Sequence, residues 1–231
     1  MFQLIKQIIR QILPAIYCRS WGGKRRPVEE LACWEKNGKP SPPPHIVKQR
    51  TLQNYSKVFG LKILVETGTC YGDMVEAMRE VFDRLYSIEL SKELYEKAKE
   101  RFIKARNIEL IYGDSGRELG SLMSKLDQPA LFWLDGHYSG GVTAKGDKDT
   151  PIYEELDHIL HSPDRGHVII IDDARLFGND PGYPSIQELT DFITSINPNL
   201  DILVQHDIIR ITPLLRGWVN YLKVAFCSRI I

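Results

Sequence analysis

Apolar and polar residues along this chain fall into two alternating periods. Ile46 to Phe59 carries apolar positions at helical spacing, and Lys62 to Glu66 is a short apolar run that reads as a strand. The same exchange repeats downstream. Helical patterns cover Asp73–Phe82, Lys92–Ala105, Ser115–Leu126 and Tyr153–Leu160, with Ser91 placed to cap the second of these. Strand patterns cover Leu85–Glu89, Ile108–Ile111, Ala130–Leu134 and Val168–Ile171. The last is apolar throughout, as a strand buried on both faces must be. Five strand–helix alternations predict a parallel sheet covered on both sides. The rhythm then changes. After a helix over Ser185–Ile196, Asp201–Gln205 and Ile208–Ile211 are separated only by His206 and Asp207. Parallel strands cannot join through so short a loop, so this pair is predicted to be an antiparallel hairpin.

The segment Lys39-Pro40-Ser41-Pro42-Pro43-Pro44 cannot be helical and reads as a stiff linker. It divides the chain into residues 1–38, a basic extension, and residues 45–213, the main domain; residues 214–231 form a C-terminal extension. Charge is uneven. Lys6, Arg10, Arg19, Lys24, Arg25 and Arg26 precede the first acid, Glu29. Leu4, Ile5, Ile8, Ile9 and Ile12 form an apolar stripe, and basic residues interrupt any signal-peptide core. Two readings stand side by side: a helix lying on an anionic membrane surface through residues 1–26, or one docked on its own domain or a second subunit. Overall the formal net charge is zero, which gives no support for a nucleic-acid partner. The four cysteines, Cys18, Cys33, Cys70 and Cys227, form no C-x-x-C pair and suggest reduced thiols in a cytoplasm, at most peripheral to the inner face of a membrane.

The chemistry collects at the ends of the strands, where open α/β sheets bind their ligands. The first strand runs into Glu66-Thr67-Gly68-Thr69-Cys70-Tyr71-Gly72. Its glycines allow a ligand to approach the backbone, but the dinucleotide fingerprint G-x-G-x-x-G fails at Cys70. The second strand ends in Glu89, an acceptor placed for ribose hydroxyls; the third runs into Gly113-Asp114-Ser115; the fourth ends at Asp135-Gly136-His137-Tyr138; the fifth ends at Asp172-Asp173. Any one acid is ordinarily a helix cap or a solvated loop residue. Five at the same edge of one sheet are harder to dismiss.

From Pro44 to Pro213 this pattern resembles the class I S-adenosylmethionine (SAM)-dependent methyltransferases, particularly a subgroup acting on small-molecule hydroxyls. Glu66-x-Gly68-Thr69-x-x-Gly72 is similar to their first motif, with Cys70 standing where many members carry glycine. The resemblance implies a Rossmann-like three-layer sandwich with a mostly parallel seven-stranded sheet, one antiparallel strand and the order 3-2-1-4-5-7-6. It implies SAM as cofactor, held by Glu66, Gly68, Thr69, Gly72, Glu89, Asp114 and Ser115. The implied reaction is methyl transfer to the hydroxyl of a small molecule or glycan precursor.

One branch of that family holds a divalent metal with a fourth-strand acid and an acid–amide pair after the fifth strand. Asp135, Asp172 and Asp173 stand at those positions, with Asp173 in place of the amide; three carboxylates suit Mg²⁺ or Mn²⁺. Asp135 and His137 are then the catalytic candidates, His137 as general base. The bland readings are that Asp172 and Asp173 cap loops or orient Arg175 and that His137 is structural. Gly136 to Asp149, with four glycines, is expected to be a flap over the acceptor. Two other functions compete: a Rossmann-like nucleotide-binding protein with hydroxylase or oxidoreductase-like chemistry, and a non-catalytic membrane-associated binding protein.

Overall fold

In the computed structural model, which describes residues 27–136, 150–163 and 165–214, the alternating pattern becomes one sheet of seven strands. These are β1 (Ile63–Thr67), β2 (Arg84–Glu89), β3 (Ile108–Tyr112), β4 (Ala130–Leu134), β5 (Val168–Ile171), β6 (Leu200–Gln205) and β7 (Ile208–Pro213). Their spatial order is β3-β2-β1-β4-β5-β7-β6. β1 to β5 pair in parallel, and β7 runs antiparallel to both β5 and β6. The fold is therefore Rossmann-like, with the strand order the sequence resemblance implies. The expected features on residues 1–26, 137–149 and 215–231, including His137, lie outside the described residues.

Strand periodicity sorts the core into two halves. Ile63, Val65, Phe132, Leu134, Ile169 and Ile171 face one side, against α5 (Ser115–Met123), α6 (Ile152–Leu160) and α7 (Ile186–Ile196). Leu64, Leu131, Trp133, Val168 and Ile170 face the other, against α2 (His45–Phe59), α3 (Asp73–Met78) and α4 (Lys92–Phe102). Every residue of β1, β4 and β5 is buried. Each large apolar side chain removed from water in this way contributes about 1.5–3 kcal/mol. This double burial is the reason the central strands lack a polar face.

The helix ends follow local chemistry. The Ser91 side chain accepts from the Leu94 N–H at the start of α4, and Ser185 with Glu188 forms a complete capping box on α7. α3 is shorter than its pattern predicts and stops at Met78. The Asn107 side-chain amide donates to the carbonyls of Arg79 and Phe82, acceptors left open where that helix has ended. The β6–β7 turn is made by His206 and Asp207, both at positive φ (51° and 64°), the backbone that a two-residue hairpin requires.

One helix was not expected. α1 (Pro27–Lys36) precedes the proline stretch and buries Leu31 and Trp34 against Val47 and Ile46 of α2. The Trp34 indole N–H donates to the Pro40 carbonyl at 2.8 Å, and its ring meets that of His206 edge-on at 5.1 Å. With only Leu31 and Trp34 as apolar anchors, α1 has too little periodic signal to be read from sequence, yet it ties part of the N-terminal extension to the domain.

Candidate functional site

The carboxyl ends of β1 to β5 meet at one edge, and the turn after β1 is built for close approach. Gly68 has φ 82°, and its N–H donates to the Ile88 carbonyl at 2.9 Å. A Cβ added there would lie 2.5 Å from the Asp135 carbonyl oxygen. The tips of β1 and β4 are thus in backbone contact, and only glycine fits between them. Gly72, at φ 76°, opens α3; a Cβ there would meet the Phe102 ring at 2.6 Å. Cys70 takes the turn at φ 49°.

Glu89 closes this turn. One carboxylate oxygen accepts from the Cys70 N–H and the other from the Ser91 N–H, both at 2.8 Å. Burial raises its pKa, and the backbone donors oppose that shift. Each oxygen retains further acceptor capacity, so Glu89 is a fixed acceptor at the tip of β2. Beneath the turn, Glu66 is 2 % exposed and accepts from the Ser87 hydroxyl, which in turn bonds to Thr69 Oγ1 at 2.6 Å. Burial pushes the Glu66 carboxyl up to about 8, with Asp135 and Glu89 adding to the rise against the Ser87 hydrogen bond. Asp114 N-caps α5 without using its side chain in the cap. The Ser115 hydroxyl donates inward, to Glu155 Oε1 at 2.6 Å. The structure thus brings Glu66, Gly68, Thr69, Gly72 and Glu89 around one turn, while the hydroxyl of Ser115 is committed to the interior.

Glu155 escaped the sequence reading. It lies on α6, is 1 % exposed, and burial pushes its carboxyl up to about 7. A Cβ on Gly136 would meet Thr67 Oγ1 at 3.0 Å and Glu155 Oε1 at 3.2 Å, so Glu155 sits directly below the β1 and β4 tips. A signal was available. Ile152, Glu155, Leu156 and Ile159 form the buried stripe of α6, and an acid on that stripe is out of place unless it has partners.

On the other side of Asp135 lie the remaining acids. Carboxylate oxygens of Asp135, Asp172 and Asp173 all fall within 4.8 Å of one another. Asp173 is held at φ 55° and accepts from the Arg175 guanidinium at 2.6 Å. Arg175 also pairs with Asp207 of the hairpin turn, and its N–H donates to Asp207 Oδ1 at 2.7 Å. Sequence reading allowed Asp172 and Asp173 to orient Arg175; the geometry gives that contact to Asp173 and Asp207. Asp172 pairs instead with Lys48 of α2, whose Nζ also lies 3.8 Å from Asp173 Oδ1. The second Asp172 oxygen, Oδ1, is buried and has no hydrogen-bond partner among the described residues. Burial and the neighbouring Asp135 push the Asp172 carboxyl up to about 7 against the pull of Lys48. Burial works to lower the Lys48 pKa, but the surrounding carboxylates of Asp172 and Asp135 raise it. Lys48 carries no local sequence signal, because a lysine on an amphipathic helix ordinarily faces water.

No protein-family model matches the chain, and no curated protein matches it in sequence. Solved structures do match. An O-methyltransferase from Bacillus cereus in complex with SAH is 17 % identical, with a TM-score of 0.53 over 85 % of this chain and 95 % of that one. The O-methyltransferase TomG from Streptomyces achromogenes, in complex with SAM, is 18 % identical, with a TM-score of 0.52 over 86 % of this chain and 94 % of that one. The SAH-bound methyltransferase PaMTH1 of Podospora anserina is 18 % identical, with a TM-score of 0.50 over 86 % and 93 %. The chain therefore has the fold of these methyltransferases along nearly their whole length.

Proposed function

We propose that the chain is a SAM-dependent methyltransferase acting on a hydroxyl of a small molecule or glycan precursor. The observation that carries this reading is the turn itself. A glycine-lined β1 tip faces a buried Glu89 whose two oxygens are fixed by backbone N–H groups. A fixed acceptor beyond strand two suits ribose hydroxyls, and the failed dinucleotide fingerprint suits a cofactor without a pyrophosphate. Gly68, Thr69 and Gly72 shape the turn around SAM; Asp114 flanks the adenine side, with Ser115 bracing it from within. Glu66 supports the turn from below.

In the transfer, the acceptor oxygen forms a bond to the methyl carbon as the carbon–sulfonium bond breaks. The hydroxyl proton leaves, and SAH is the second product. His137, two residues beyond Asp135, is assigned as the base that takes the proton. Asp135, Asp172 and Asp173 fit a divalent cation on two grounds. The buried Asp172 Oδ1 lacks a hydrogen-bond partner among the described residues, and the three acids bring hard oxygen ligands within 4.8 Å of one another. Mg²⁺ or Mn²⁺ held there would lower the pKa of an acceptor hydroxyl and orient it.

Calorimetry with SAM, SAH and NAD tests the cofactor. SAM and SAH are expected to bind and NAD not to; the reverse selects the oxidoreductase-like alternative. Glu89→Ala should weaken SAM binding by about 1–3 kcal/mol, and an unchanged affinity refutes the ribose assignment. Excess chelator is expected to abolish transfer, with Mg²⁺ or Mn²⁺ restoring it. Full turnover in chelator would leave His137 acting without metal.

Residues 1–26, with six basic residues and no acid, are proposed to hold an anionic membrane surface from the cytoplasmic side. The full chain should then sediment with anionic vesicles and release at high salt, whereas a chain lacking residues 1–26 should stay in the supernatant. Equal sedimentation of the two forms removes the membrane assignment.

A further inference from the structure

The acid cluster contains a cation of its own, supplied from outside the sheet. Lys48 projects from α2, the helix before β1, and its ammonium reaches Asp172 Oδ2 and lies 3.8 Å from Asp173 Oδ1. Its side chain is 16 % exposed and that of Asp172 only 1 %, so the pair is sheltered from solvent screening. Among the described residues only one Asp172 oxygen is hydrogen-bonded; Oδ1 is buried and has no such partner there, beside Asp135 and Asp173. The ammonium and a divalent ion would therefore draw on the same carboxylates without needing the same oxygen of Asp172.

We propose that Lys48 is the resident counter-cation of the Asp135–Asp172–Asp173 cluster, holding it assembled in the metal-free protein and keeping its affinity for divalent ions low enough for exchange. This rests on the metal reading above, and it assigns a role to a residue outside the sheet. Three acids within 4.8 Å of one another repel when ionised in a buried setting, and the Lys48 ammonium relieves part of that repulsion, as the Arg175 guanidinium does at Asp173. A bound divalent ion would in turn feel the ammonium as a like charge. Lys48 thus stabilises the empty cluster and opposes the filled one. It is a positioning residue, since its contacts are to Asp172 and Asp173.

The test measures Mn²⁺ binding by calorimetry and thermal unfolding with and without Mn²⁺ in the full-length wild type, Lys48→Met and Lys48→Arg. Lys48→Met keeps most of the apolar stem while removing the charge. It should melt lower than wild type without metal, bind Mn²⁺ at least about fivefold more tightly, and gain more in Tm from Mn²⁺. Lys48→Arg should resemble wild type in both measurements. Weaker or unchanged Mn²⁺ affinity in Lys48→Met overturns the proposal. If neither protein binds Mn²⁺, the metal reading and the exchange role fall together. The counter-cation role is then judged by Lys48→Met/Asp172→Asn, which removes one charge of each sign. That double variant should recover the metal-free Tm lost in Lys48→Met. A double variant that melts as low as Lys48→Met, or that fails to fold with it, assigns Lys48 to packing alone and overturns the counter-cation role.

Discussion

Gly68→Ala is expected to destabilise the protein by about 2–5 kcal/mol and to abolish SAM binding. Two costs add at this position. The backbone sits at φ 82°, which an alanine adopts only with strain, and the new methyl would lie 2.5 Å from the Asp135 carbonyl oxygen. That oxygen belongs to the backbone and has no rotamer with which to move away. Relief requires the β1 and β4 tips to part, which displaces both the cofactor turn and Asp135. Denaturant unfolding measures the first effect and calorimetry the second. A variant with wild-type stability and affinity would show that the two tips do not touch in solution. Gly60→Ala, where a Cβ meets nothing within 4 Å despite a similar φ of 65°, is the control that isolates the backbone strain.

Stability should also fall as pH rises from about 5 to about 9, by several kcal/mol. Burial raises the Glu66 carboxyl from 4.5 to about 8 and the Glu155 carboxyl from 4.5 to about 7. A group whose pKa is higher in the folded state keeps its proton there while the unfolded chain gives it up. Its contribution is complete below the unfolded value and is lost as pH climbs through the folded one. The decline from Glu155 should therefore end near neutrality and that from Glu66 about one unit later. Urea unfolding across this range checks the slope. Glu66→Gln, which keeps a neutral hydrogen-bonding group beside Ser87, should flatten the upper part. A stability that climbs steadily toward alkaline pH in the wild type would mean that both carboxyls are ionised in the folded state.

The sheet was legible because each central strand is buried on both faces, so Leu131–Leu134 and Val168–Ile171 read as unbroken apolar runs. The two-residue spacing between β6 and β7 fixed their antiparallel pairing. Strand order came from family resemblance, since periodicity does not encode which strands are neighbours. The acids at the strand tips were visible as positions, but their partners were not. Glu89 is recognisable at the end of β2, whereas its bonds to the N–H groups of Cys70 and Ser91 depend on how the β1 turn folds over it. Lys48 and Asp207 reach the acid cluster from a preceding helix and from the last hairpin, far apart in sequence. Only tertiary structure makes them neighbours. Glu155 is the exception, a polar residue on an apolar stripe that marks its own burial.

The docking of α1 has a geometric corollary for whatever residues 1–26 hold. Trp34 lies against His206, next to the Asp207 that pairs with Arg175, whose guanidinium also holds Asp173. The ten residues of α1 span only about 15 Å. A surface or partner bound just upstream of Pro27 would be joined through this one helix to the hairpin turn that holds Arg175. An acceptor anchored on that same surface would meet the site at an effective concentration set by this short tether, well above its average in solution. Insertion of a long Gly/Ser spacer between residues 26 and 27 would lengthen the leash and leave every side chain of the site in place, separating the contribution of proximity from that of recognition.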